Sequence, residues 1–284
     1  MLILMTSTAA RFSQFSEAAM QDNLALRALF SLPPIQTSSS TALTAPEMPA
    51  PKVVTGDREL DAVLWLRDCI KTGHAALIAQ ALEAFKKIKT PAKELEDRYC
   101  EHLRIASGGN PFAVIFGGMG FANLESLASS SSEKLAKRND AVARFGSIDN
   151  VFKDTPAEAA CKKALRGLKR PETEYGWREY DSEKADARFA KHAELMPHTL
   201  ADCMHAMEFS STLYWLRHAC ADNAGDHWPA FQAHDDYCFR SMARIAPQSK
   251  EEALAIFAFM EEDSRMDRTE TDDILRNLIC GGWA

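Results

Sequence analysis

The sequence predicts an all-α protein of roughly nine to ten helices, packed as one or two bundles behind a disordered N-terminal linker. Three observations carry this expectation. Past Gly56, apolar residues recur at spacings of three and four. Capping residues and prolines stand where those patterns begin. No segment sustains a period-two alternation, and no Asn-Gly or Asp-Gly pair marks a hairpin.

The chain opens with an arm and a linker. Residues 10–30, ARFSQFSEAAMQDNLALRALF, place Phe12, Phe15, Ala19, Leu26 and Phe30 on one side of an amphipathic helix. Phe12 and Phe15 are the residues expected to dock on a protein partner. Residues 31–51 hold five of the twelve prolines, many Ser and Thr, and a single charge, Glu47. Such a stretch buries too little apolar area to offset its ordering entropy, so it reads as a flexible linker. Residues 1–55 are therefore expected to form an arm and linker, and deleting 1–51 is expected to weaken partner capture while leaving the melting temperature of the body nearly unchanged.

The body is punctuated by helix signals. Leu77, Ile78, Ala81, Leu82, Phe85 and Ile88 share one face within 74–89. Thr90-Pro91 reads as a cap followed by proline at the first helical position. Asn110-Pro111 opens a short apolar helix over 111–116, and Asn123 caps a longer one carrying Leu124 to Phe145. Thr155-Pro156-Ala157-Glu158 is a capping box, repeated at Ser249-x-x-Glu252. Further helices are expected near 198–222, 229–245 and 274–279, the last ending at Gly281-Gly282.

The stretch AVIFGGMGF, 113–121, raises the question of a nucleotide loop. A dinucleotide fingerprint requires a preceding strand, and a Walker loop requires G-K-[ST] after its glycines; Phe121-Ala122 stands there instead. The glycines read as a turn between helices.

Charge divides the chain into balances of −1, +5 and −11 over residues 1–51, 52–170 and 171–284. Helical periodicity lapses at 169–182, which suggests a basic-leaning domain, 56–170, and an acidic one, 171–284. The net charge of −7 disfavours general attraction to nucleic acid or anionic lipid. Seven scattered cysteines without a C-x-x-C pair fit reduced thiols in the cytoplasm. The opening MLILM has no preceding basic region and is short for a secretory signal. No apolar run has the length of a membrane span.

Three function classes follow. The leading one is a non-enzymatic helical protein-interaction or adaptor protein without a cofactor, using Phe12, Phe15, Lys162, Arg166 and Arg170 as contact residues. The second is a metal-dependent enzyme. Six of the eight histidines fall between 192 and 234, and His198, Asp202 and His205 have the spacing of one helix face and suit zinc or iron. A di-iron bundle would require a second carboxylate-x-x-His, which is missing, as is H-E-x-x-H. The third is nucleic-acid binding through the basic face of 134–170, where Lys162, Arg166 and Arg170 recur every four residues. No G-x-S-x-G or catalytic cysteine signature is present.

Overall fold

The computed structural model describes residues 21–36 and 47–281. Its helices in chain order are α1 (Leu24–Leu29), α2 (Arg58–Lys71), α3 (Ala75–Phe85), α4 (Ala92–Ala106), α5 (Pro111–Gly118), α6 (Leu124–Phe145) and α7 (Ile148–Val151). They continue with α8 (Pro156–Ala164), α9 (Ser182–Phe189), α10 (Leu200–Cys220), α11 (Pro229–Ser241), α12 (Lys250–Glu262) and α13 (Thr271–Cys280). Among the described residues the β pairing is a single isolated bridge, Glu172 to Arg178, so the all-α expectation holds. The helices form two compact units.

The middle unit comprises residues 35–148 with 219–222. Asp57 starts α2 by accepting from the backbone N–H of Glu59 and Leu60 at 3.0 and 3.3 Å. Arg98 of α4 pairs with both Asp57 and Glu59, fixing α4 against that helix start. Thr90 is not the cap its sequence suggests. Its hydroxyl donates to Glu59 Oε2 at 2.7 Å, and α4 begins one residue after Pro91. Leu60, Val63, Leu95 and Phe121 form one buried cluster; Leu66, Ile70, Ile78, Ala81, Leu124 and Ala128 form another.

The glycine run belongs to this unit. Asn110 caps α5 through the Phe112 N–H at 3.0 Å, as expected, but the helix continues through Gly117 and Gly118. Helix packing explains the extension. A Cβ on Gly117 would lie 2.8 Å from Leu103 Cδ1, and one on Gly118 would collide with Cys100 Sγ, so glycine lets α5 lie this close to α4 without moving those side chains. Gly120, at φ +65, makes the turn, and Asn123 caps α6 through the Ser126 N–H.

The second unit comprises residues 149–218 and 223–281 together with 21–34. Its α8 opens on the expected capping box: Thr155 Oγ1 accepts from the Glu158 N–H at 3.2 Å, and Glu158 Oε2 accepts from the Thr155 N–H at 2.8 Å. Glu158 is fully buried and also receives Arg217 of α10 at 2.6 and 2.9 Å. Arg217 donates further to the carbonyls of Val151 and Lys153, so one guanidinium joins α7 and the following loop to α10. Phe30, Phe189, Leu195, Leu200, Phe231, His234 and Phe239 lie at the centre.

Three sequence expectations change. Residues 23–30 are not a detachable arm: Leu26 and Phe30 are buried, and the Phe30 ring stacks on His234 at 4.6 Å. The linker flank at Gln36 is also tied down, its N–H donating to the Ala143 carbonyl at 2.9 Å. The contact boundary lies at 148/149 instead of within 169–182. With that boundary the middle unit carries fourteen basic and fourteen acidic residues, and the whole −7 falls on the remainder. The middle unit is neutral, not basic.

Candidate functional site

Phe12 and Phe15 lie outside the described residues. Lys162, Arg166, Arg170, His198, Asp202 and His205 fall in the second unit, whereas residues 134–148 of the expected basic face belong to the middle unit. His198 stands before α10, so it does not share a helix face with Asp202 and His205. Asp202 is fully buried and accepts from the N–H of Asn23 (2.8 Å), Arg27 Nε (2.8 Å), and the N–H of His198 and Thr199 (3.1 and 3.3 Å). Burial alone would raise its pKa; the donors from Asn23, Arg27 and His198 outweigh that and lower it. His205 Nε2 lies 3.1 Å from the Arg27 carbonyl, which only accepts, so that nitrogen carries the proton. Of the trio suggested as zinc or iron ligands, Asp202 and His205 instead fasten residues 23–27 to the start of α10, and His198 gives Asp202 only its backbone N–H. Among the described residues, no three His, Cys, Asp or Glu side chains are grouped to hold an ion.

The basic residues at 162–170 do not form one helical face. Helix α8 ends at Ala164, and Gly167 at φ +80 turns the chain, so Arg166 and Arg170 follow the helix instead of continuing it. Lys162 pairs with Asp154 at 2.7 Å and stands 4.1 Å over the Trp228 ring. Arg170 stands 5.8 Å over Tyr180.

That second stacking pair leads to a feature absent from the sequence reading. Residues 171–181 form a tight turn fastened by Thr173 N–H to Trp177 O (2.7 Å) and Gly176 N–H to Thr173 O (3.0 Å). The turn holds Tyr175 and Trp177 out in solvent, 78% and 70% exposed. Beside it opens a cavity of about 660 Å³ whose walls include Trp177, Arg178, Tyr180, Asp226, His227 and Gln232. His227 is held by a hydrogen bond to the Ser210 carbonyl at 2.9 Å; burial lowers its pKa and keeps the ring neutral.

The most conspicuous surface of the middle unit is apolar. Phe112, Ile115, Phe116 and Met119, with Ile105 at the end of α4, are all more than half exposed, and Phe112 and Phe116 stack on each other at 6.3 Å. Residues 105–124 carry no charge. The same segment was readable as a helix from its sequence. Its outward face was not, because the buried side of α5 is supplied largely by glycine: Gly118 is its buried residue. Scattered exposed apolar residues are ordinary; four on one short helix and its cap, two of them stacked on each other, are not.

Burial pushes the thiols of Cys161, Cys203 and Cys238 up, holding them protonated near neutrality. Among the described residues no helix is long and apolar enough to cross a membrane. No family model matches the chain, and neither a curated protein nor a solved structure is detectably similar to it.

Proposed function

We propose that this chain is a non-enzymatic helical interaction protein that pairs with a second copy of itself through the α5 face. The observation that carries this reading is the uncharged, exposed cluster of Ile105, Phe112, Ile115, Phe116 and Met119. Together these side chains offer roughly 600 Å² per copy, or about 1,200 Å² when two copies meet, the lower bound for a specific interface. A symmetric pairing brings identical surfaces together, and this one contains no charge to repel its own image. The middle unit's even balance of acids and bases supplies no pull toward an anionic membrane, which favours a protein surface as the occupant.

Sedimentation of the full chain at about 100 µM, far above a micromolar dissociation constant, tests the reading. The expected species has twice the 31.5 kDa mass of one chain. Phe116→Asp, at a position 77% exposed, is expected to return it to a monomer whose melting temperature matches that of the wild type at dilutions where the wild-type dimer has dissociated. A wild-type chain that stays monomeric, or a Phe116→Asp dimer, would overturn the proposal.

A further inference from the structure

A folded chain gains little by presenting two large aromatic rings to water on a turn it has taken care to fasten. Tyr175 and Trp177 are in that position, and Trp228 is 48% exposed on the same unit. Neither Tyr175 nor Trp177 contributes to the buried core. The turn itself is held by its backbone bonds and by the Glu172–Arg178 bridge, so it offers these rings in a fixed place. Preformed aromatic surfaces of this kind bind flat partners at low entropic cost.

The turn itself is acidic, with Glu172, Glu174, Glu179 and Asp181 against Arg178, and positive charge enters from the segment that precedes it. Residues 159–171 carry five cations and no acid. Among the described residues, Lys163, Arg166 and Lys169 have no ion-pair partner. Arg170 is placed at the cavity by its stacking over Tyr180, one of the wall residues, and Arg178 is itself part of the wall. Lys162, itself paired with Asp154, stands over Trp228 as Arg170 stands over the half-buried Tyr180. Three charged wall residues have ion-pair partners: Asp236 with Arg268 at 2.8 Å, Arg240 with Asp186 at 2.7 Å, and Arg178 with Glu172 at 4.0 Å. Glu179, Asp226 and Gln232 remain in the wall as hydrogen-bonding groups suited to the amino edge of a base.

We propose that the cavity beside the 171–181 turn is a binding site for single-stranded nucleic acid, with a base stacking against Trp177 and Tyr180 and the strand's phosphates meeting Arg166, Lys169 and Arg170. Aromatic platforms beside a cationic track are the means by which proteins hold unpaired strands, because every base offers a π face. A duplex keeps its bases stacked inside and presents no such face. The remainder of the chain outside the middle unit carries −7, so the attraction is local, acting within a Debye length of about 10 Å at 0.1 M salt. This site is independent of the α5 surface.

The test uses the full chain, a fluorescently labelled 12-nucleotide adenosine oligomer, the same sequence as a duplex, and adenosine monophosphate. Adenosine is chosen because its amino group donates to the wall carboxylates. The oligomer is expected to bind in low salt and to weaken as salt rises, with a slope of about −0.7 per phosphate contacted. Trp177→Ala is expected to weaken binding about tenfold while leaving the salt slope unchanged. Arg166→Ala combined with Lys169→Ala is expected to flatten the slope by about 1.4. All three positions are exposed, so thermal melts of the variants are expected to match the wild type. Failure to bind the oligomer in low salt, equal binding by Trp177→Ala, or a preference for the duplex would overturn the proposal. Monophosphate binding as tight as the oligomer's would overturn it too, because the site would then be a nucleotide pocket that ignores the strand.

Discussion

Replacing Phe30 with alanine separates a docked N-terminal segment from a tether. The ring is 1% exposed, stacks on His234 at 4.6 Å, and meets Phe209 edge-on at 5.7 Å and Phe231 at 6.0 Å. The substitution removes about 100 Å³ of side chain; at about 24 cal/mol per Å³ an unrelaxed cavity costs roughly 2.4 kcal/mol. Lost transfer free energy adds about 1.5–3 kcal/mol, giving about 4–5 kcal/mol in all. For a unit of this size that corresponds to a fall in melting temperature of roughly 8–20 °C. Urea unfolding followed by far-ultraviolet circular dichroism measures it. A loss under about 1 kcal/mol would refute the reasoning, since fully buried Phe→Ala changes cost about 3–5 kcal/mol. A chain lacking residues 1–51 is expected to fare worse than the point variant. It loses Phe30 and Leu26 and leaves Asp202 buried without its Arg27 and Asn23 donors.

Two further outcomes follow from buried polar groups. Arg217→Met leaves the fully buried Glu158 without its counter-charge and is expected to cost about 3–5 kcal/mol; adding Glu158→Gln should recover part of it, which a double-mutant cycle by denaturant unfolding will read. His234 is buried, and its pKa is lowered to about 4, by burial above all. Below pH 6.5 the unfolded chain therefore takes up a proton that the native ring refuses. Stability is expected to fall with decreasing pH across the window from about 6.5 to 4, by about 1.4 kcal/mol per unit in its lower part. Unfolding free energies at pH 7, 6 and 5 should show a shallower slope for His234→Gln, and equal slopes would contradict the assignment.

What could be read from the sequence was what is decided within one helical turn. The Thr155–Glu158 box, the Asn110 and Asn123 caps and the long helix from Leu124 to Phe145 are local arrangements, and each formed where its residues indicated. Helix α9 escaped notice because it is short, largely polar and opened only by Asp181 accepting from the Lys184 N–H. The fate of Asp202 was not legible at all. Its spacing to His205 suggested a ligand pair, but its partners Asn23 and Arg27 are 179 and 175 residues away along the chain. The cavity beside Trp177 was hidden for the same reason: its walls come from segments about fifty residues apart. The extrapolated basic face failed because periodicity was continued past Ala164, where Gly167 lets the chain turn away.

The interleaving of the two units along the chain has a consequence for biosynthesis. Residues 21–34 leave the ribosome well before the surface that receives them, since Asp202 and the His234–Phe231 cluster are translated some 170 to 200 residues later. At about 5–20 residues per second that interval lasts on the order of ten seconds or more. During it the nascent polypeptide exposes Leu26 and Phe30, while both buried clusters of the middle unit are completed once residue 128 has emerged. Helix α1 therefore has to wait for the C-terminal half before its apolar side is covered.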